Sequence, residues 1–143
     1  MNTVKKILKR RGGQVWSVKK TDTVCDALTL MVEKDIGAVL VMEEEQLLGI
    51  VSERDVARKI TFRKLTPELT TVEEIMTSTV YTIDAGQTVE TARALMTAHR
   101  VRHLPVVDKD KVIGVISSRD VVSEIIITQR QTIEFYKDIA MDE

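Results

Sequence analysis

Aromatic residues are almost missing from this chain: one Trp, two Tyr and two Phe make up 3% of its 143 residues. Its core must therefore be aliphatic, drawn from the Val, Ile, Leu and Met of a 43% hydrophobic fraction. Cysteine is scarcer still. Cys25 stands alone, which excludes an internal disulfide, and with no His at motif spacing it does not look like an activated thiolate. No apolar run approaches the length of a membrane span, and the start, Met1-Asn-Thr-Val-Lys-Lys, leads into no secretory signal. The expected compartment is the cytoplasm, with no membrane contact. Net charge is −1, so the general basic field that would hold nucleic acid is also lacking. The cluster Lys5, Lys6, Lys9, Arg10 and Arg11 reads as a solvated helix face, and Asp138, Asp142 and Glu143 mark an acidic end. There is no P-loop, no paired base and nucleophile, and no metal set; His99 and His103 are four apart, but the helix is expected to end between them. No catalytic residue is assigned.

What the chain does have is one stretch written twice. Gly49-Ile-Val-Ser52-Glu-Arg54-Asp55 returns as Gly114-Val-Ile-Ser117-Ser-Arg119-Asp120. The offset of 65 holds without a gap from Val15/Val80 to Ile60/Ile125 and pairs Trp16 with Tyr81. The lead-ins Val4-Lys-Lys-Ile7-Leu8 and Val72-Glu-Glu-Ile75-Met76 repeat at an offset of 68, so the first copy carries three extra residues near Arg11-Gly12-Gly13. In each copy a strand turns on Gly and enters a helix at Ser. Ser followed three residues later by Asp is a capping box, which accounts for Ser52/Asp55 and Ser117/Asp120 as structure alone. A helix N-terminus is also an anion site, and a carboxylate beside it can accept from two adjacent hydroxyls, which are the needs of a phosphate and a ribose. The Arg at the second helical position of both copies opposes the helix dipole, a conflict that a bound anion would relieve.

The periodicities predict helix 3–10 ended by Gly12-Gly13, an extended piece 15–18, helix 23–34 closed by Gly37, strand 38–42, an acidic turn 43–46, strand 47–51 and a helix from Ser52 to about Lys64. Pro67 breaks that helix. A capping box at Thr71/Glu74 then opens a second round: strand 79–83, helix 88–99, strand 104–107, turn 108–110, strand 111–116 and a helix from Ser117. The domain reading is a first repeat with its N-terminal helix (1–65), a linker (66–71), a second repeat (72–130) and a C-terminal helical tail (131–143). The fold class is α+β: two βαββα repeats packed sheet to sheet with pseudo-twofold symmetry, plus the short N-terminal helix and an amphipathic tail whose Ile133, Tyr136 and Ile139 are expected against a second subunit.

These residues resemble the tandem CBS-domain pair, the family named after cystathionine beta-synthase. The carriers are the doubled G-x-x-S-x-x-D, the lead-in Val72-Glu-Glu-Ile75-Met76-Thr77, and Arg102-His103-Leu104-Pro105-Val106-Val107-Asp108. The resemblance covers about 4–127 and implies a module that binds AMP, ADP, ATP, NAD or S-adenosylmethionine and commonly forms a disc-shaped homodimer. It implies one cleft with Asp120 on ribose, Ser117 and Arg119 toward phosphate, and Thr82, Ile83, Arg102, His103, Leu104 and Pro105 around the base. The other cleft would use Asp55, Ser52 and Arg54, with Ser17, Val18, Gly37, Ala38 and Val39 lining it. Where the second copy has Arg102-His103-Leu104-Pro105 the first has Gly37-Ala38-Val39-Leu40, so the second site is expected to be the more selective for phosphate.

The function this implies is a non-catalytic regulatory or signal-transduction module, an energy sensor that reports adenine-nucleotide occupancy to an effector protein. The alternative is a dimerisation or docking scaffold that regulates an enzyme or transporter without a nucleotide, its motifs serving only as caps. Trp16 is read as core or rim packing; Tyr81 is read either so or as a base-stacking ring.

Overall fold

The computed structural model describes residues 2–141. Met1, Asp142 and Glu143, and with them most of the acidic end, lie outside the described residues. The elements in chain order are α1 (Val4–Arg11), β1 (Ser17–Val18), α2 (Val24–Lys34), β2 (Ala38–Glu43), β3 (Gln46–Ser52), α3 (Glu53–Arg63), α4 (Val72–Ile75), β4 (Ile83–Asp84), α5 (Val89–His99), β5 (His103–Asp108), β6 (Lys111–Ser117) and α6 (Ser118–Met141). Two three-stranded sheets result, ordered β1-β2-β3 and β4-β5-β6, each a parallel outer strand beside an antiparallel hairpin. The repeat offset survives as register: Ala38 faces Ser52 and His103 faces Ser117. The fold is α+β with two βαββα repeats, as the sequence implies.

The two lead-in helices cross over. Leu8 of α1 packs in one aliphatic core with Ile83, Val106, Ile116 and Val121 of the second repeat, while Val72 and Ile75 of α4 pack with Val39, Val41 and Val51 of the first. Backbone bonds repeat the exchange: Val4 N–H donates to the Gln87 carbonyl at 2.9 Å, and Val72 N–H to the Asp22 carbonyl at 2.8 Å. The N-terminal helix, grouped with the first repeat by chain order, thus lies on the second in space. Arg10 adds an ion pair, its Nε 3.4 Å from the buried Glu124 of α6, and Asn2 bonds Thr128 on the same helix.

Gly49 and Gly114 correct one expectation. Neither makes a turn; each sits inside a continuous strand, β3 or β6. A Cβ on Gly114 would lie 2.7 Å from a Leu8 methyl, and one on Gly49 would lie 2.6 Å from Met76 Sδ and 2.9 Å from the Thr77 carbonyl. These glycines let the crossed segments lie directly on the strands. Gly37 does not close α2 either. That helix ends on Asp35 in the left-handed region (φ 53°), whose N–H returns to the carbonyls of Met31 and Val32, and α5 ends the same way on Arg100 (φ 54°). The strand expected over 79–83 is only the two-residue β4, because residues 79–82 have no ladder partner.

The tail is not a separate helix. α6 runs unbroken for 24 residues from the second Ser-x-x-Asp motif, against 11 for its counterpart α3. Beyond Thr128 it is exposed, with Ile133, Phe135, Tyr136 and Ile139 all open to solvent. Among the described residues no helix is long and apolar enough to cross a membrane.

Candidate functional site

Both capping boxes form. Ser52 Oγ accepts from the Asp55 N–H at 3.0 Å while Asp55 Oδ2 accepts from the Ser52 N–H at 3.2 Å; the second copy repeats this with Ser117 and Asp120 at 3.2 and 2.7 Å. The cap uses Oδ2 of each aspartate and does not engage Oδ1. Strand β3 delivers the first box and β6 the second, and because the repeats are related by a pseudo-twofold the two boxes open into the same hollow. One continuous cleft of about 1190 Å³ is lined by Ser52, Asp55, Ser117 and Asp120 together. It is somewhat larger than the roughly 300–1,000 Å³ of a typical small-molecule pocket.

The charge of the wall differs from that of the molecule. Arg11, Arg54, Arg58, Arg100, Arg102 and Arg119 line the cleft, against Asp35, Glu53, Asp55 and Asp120. A chain of net charge −1 has therefore gathered an excess of guanidinium where two helix N-termini converge.

His103 stands between the two halves. Burial holds its pKa below the ordinary 6.5, with Arg11 and Arg102 adding to that effect and Asp120 and Asp55 opposing it. Its Nε2 would be 3.3 Å from a Cβ placed on Gly37. The second repeat's imidazole thus occupies space that the first leaves open by having no side chain.

Two aromatic pairs flank the mouth, and they too obey the 65-residue offset. Tyr81 stacks on His99 with ring centroids 3.7 Å apart and 13° between planes, and Lys34 Nζ lies 4.4 Å from the centroid of Trp16. Both Trp16 and Tyr81 line the cleft. Trp16 is therefore rim packing in a specific sense: one face of its ring is held by a cation from the end of α2.

Of the site residues expected from sequence, the cleft brings together Gly37, Ala38, Ser52, Arg54, Asp55, Arg102, His103, Ser117, Arg119 and Asp120. Seven others do not line it. Val18, Val39, Ile83 and Leu104 are buried in the two cores, Pro105 is buried within β5, and Ser17 and Thr82 are exposed outside the lining. The alternation of side chains along a strand explains the core residues: His103 and Ala38 face the cleft, so their neighbours Leu104 and Val39 point inward.

Sequence reasoning missed Arg11. Its Nη1 donates to Asp120 Oδ2 at 2.7 Å and to the Val115 carbonyl at 2.9 Å. The available signal was the three-residue insertion at Arg11-Gly12-Gly13, since under the lead-in offset of 68 the position of Arg11 falls on Thr79 in the second copy. Among the described residues no group of three or more His, Cys, Asp or Glu is gathered as a metal set.

Comparison with known proteins places this geometry in a family. A model of the CBS domain matches residues 4–61 and again 72–127. The CBS domain-containing protein CBSX3, mitochondrial, of Arabidopsis thaliana is 34% identical over 128 residues, covering 86% of this chain and 62% of that protein. The crystal structure of a CBS-domain protein from Burkholderia ambifaria MC40-6 has 46% identity over 90% of this chain and 96% of its own, with a TM-score of 0.85. A CBS-domain protein of Pyrobaculum aerophilum complexed with AMP has 26% identity, covers 82% of this chain and 88% of its own, and gives a TM-score of 0.73. With both repeats matched and their helix caps meeting in one cleft, the chain belongs to the CBS-domain family as a tandem pair.

Proposed function

We propose that this pair is a non-catalytic regulatory module that binds an adenosine-containing nucleotide, of the AMP, ADP, ATP or NAD type, in the cleft between its repeats. The observation that carries this reading is the convergence of Asp55 and Asp120, each capping its helix through Oδ2, in one arginine-rich hollow. The two oxygens of such a carboxylate can accept from the hydroxyls of a diol; Ser52, Ser117, Arg54 and Arg119 sit at the helix N-termini where a phosphate would be held. The aromatic rims at Trp16 and Tyr81 offer flat surfaces for a base. The AMP complex of the Pyrobaculum relative supports the ligand class.

A module of this kind acts by differential affinity, since a ligand that contacts both repeats favours the arrangement that closes on it. The readout then belongs to an effector protein in the cytoplasm. The test is thermal unfolding with AMP, ADP, ATP and NAD in turn: free ligand at 100 times Kd adds about 2.7 kcal/mol of stability. Asp120→Ala should cut affinity by roughly 1.5–3 kcal/mol, the value of a hydrogen bond to a charged group. No thermal shift with any of the four would remove the reading.

The exposed stripe of α6 favours a further element, self-association. A helical extension of this length is marginal in water by itself, and Ile133, Phe135, Tyr136 and Ile139 are between 45% and 65% exposed. A homodimer that covers the stripe accounts for it. This feature would also serve the scaffold reading, in which docking alone is the function. Ligand-dependent melting separates the two.

A further inference from the structure

The Asp120 carboxylate that the nucleotide reading assigns to a ribose is already engaged. Oδ2 accepts from the Ser117 N–H and, at 2.7 Å, from Arg11 Nη1, which also donates to the carbonyl of Val115. Among the described residues the Asp55 carboxylate has no such partner: Oδ2 accepts from its own cap, and the position equivalent to Arg11 is Thr79. At the carboxylate itself the two half-sites thus differ by one guanidinium, supplied by the insertion that distinguishes the first lead-in from the second.

The construction around Arg11 fixes the helix and leaves the side chain free to turn. α1 is held by Leu8 against Gly114 and by Arg10 against Glu124, and Arg11 is its last residue before Gly12 and Gly13, both at positive φ. The pair itself is half open, with Arg11 40% and Asp120 17% exposed. Ion pairs of that exposure are weak, so a doubly charged phosphate nearby competes with the carboxylate easily. A ligand without an anion offers Arg11 nothing in exchange. To take a diol on both oxygens of Asp120 it must displace Arg11 from Oδ2 and leave the guanidinium unpaired.

We infer that Arg11 is the specificity-determining residue of the Asp120 half-site: it holds Oδ2 of that carboxylate until a phosphate draws it off, so this half-site takes adenosine phosphates and refuses adenosine. The inference rests on the nucleotide reading of the cleft and adds the ligand class of one half. At the Asp55 half-site, where among the described residues no cation bonds the carboxylate, phosphate and nucleoside compete on more equal terms.

The experiment is calorimetric titration of the full chain with adenosine and with AMP, in a background of Asp55→Asn that silences the first half-site. With Arg11 present, AMP binds and adenosine does not compete. Arg11→Gln should weaken AMP and strengthen adenosine, so that the ratio of the two affinities falls about tenfold or more, as expected when one charged hydrogen bond is exchanged. Arg11→Lys keeps the charge and should hold the ratio within a few fold of the unsubstituted protein; a melting curve without ligand shows that each variant is folded. A ratio unchanged in folded Arg11→Gln overturns the inference while leaving the nucleotide reading intact. Failure of the chain carrying native Asp55 and Asp120 to bind AMP or any other adenosine ligand overturns both.

Discussion

A methyl group added to Gly37 would stand 3.3 Å from Nε2 of His103, so the imidazole of the second repeat is seated on the backbone of the first. This contact crosses the pseudo-twofold axis and has no mirror image, because the residue equivalent to His103 is Ala38. It makes the two halves of the cleft chemically unlike at the point where they touch.

Acid sensitivity follows from that seat. Burial, first, and then the charges of Arg11 and Arg102 keep the folded pKa of His103 below 6.5, against the opposing pull of Asp120 and Asp55. Between the folded pKa and 6.5 the unfolded chain binds the extra proton, so this residue's contribution to stability is complete above about pH 6.5 and declines as pH drops beneath it. Urea midpoints at pH 7.5 and pH 5.5 should differ in that direction, and His103→Gln should narrow the gap. An identical gap in the variant would show that other groups carry it.

The two strand glycines should not tolerate alanine equally. At Gly114 the new methyl meets only the end of Leu8, which can rotate, whereas at Gly49 it meets the backbone carbonyl of Thr77 as well as Met76. Both changes overpack, at roughly 1–3 kcal/mol each, with Gly49→Ala the more costly. Chemical denaturation of the two single variants ranks them; the reverse order would mean that β3 can yield where β6 cannot.

The crossed lead-ins predict where a cavity is felt. Leu8→Ala removes a side chain that is 5% exposed and should cost about 2–5 kcal/mol. Hydrogen exchange should then accelerate first in β5 and β6, sixty or more residues away in sequence. Loosening confined to β2 and β3 would contradict the exchange of helices.

Self-association through α6 is tested by charge. Ile133→Glu with Tyr136→Glu places two carboxylates on the exposed stripe without touching either core. Sedimentation should show dissociation at concentrations where the unsubstituted chain is associated, and nucleotide binding in the cleft should persist. Equal sedimentation of both proteins would leave the stripe without this role.

Much of this architecture is legible in the residues because it is local. Ser52 and Asp55, Ser117 and Asp120, and Thr71 and Glu74 are three apart, and in each the carboxylate accepts from the cap N–H as implied. The 65-residue offset carries everything those boxes position, down to the side chain held over each rim aromatic. What escapes is long-range. Nothing in Val4–Arg11 says that its apolar face belongs to the other repeat, so Arg11 looks like one more solvated cation instead of a partner of Asp120. The glycines mislead for a related reason: a residue chosen for close approach and one chosen for a turn look alike until the neighbour is known, as at Gly49 and Gly37.

One consequence of the unbroken α6 is mechanical. Asp120 occupies its first turn and Met141 its last, so the residue that meets a ligand and the apolar stripe at the far end ride on a single rigid rod about 36 Å long. Tilting that rod by about 5° at its base would sweep the tip by roughly 3 Å at this rise per residue, turning an adjustment at one carboxylate into a displacement that a neighbouring surface can feel.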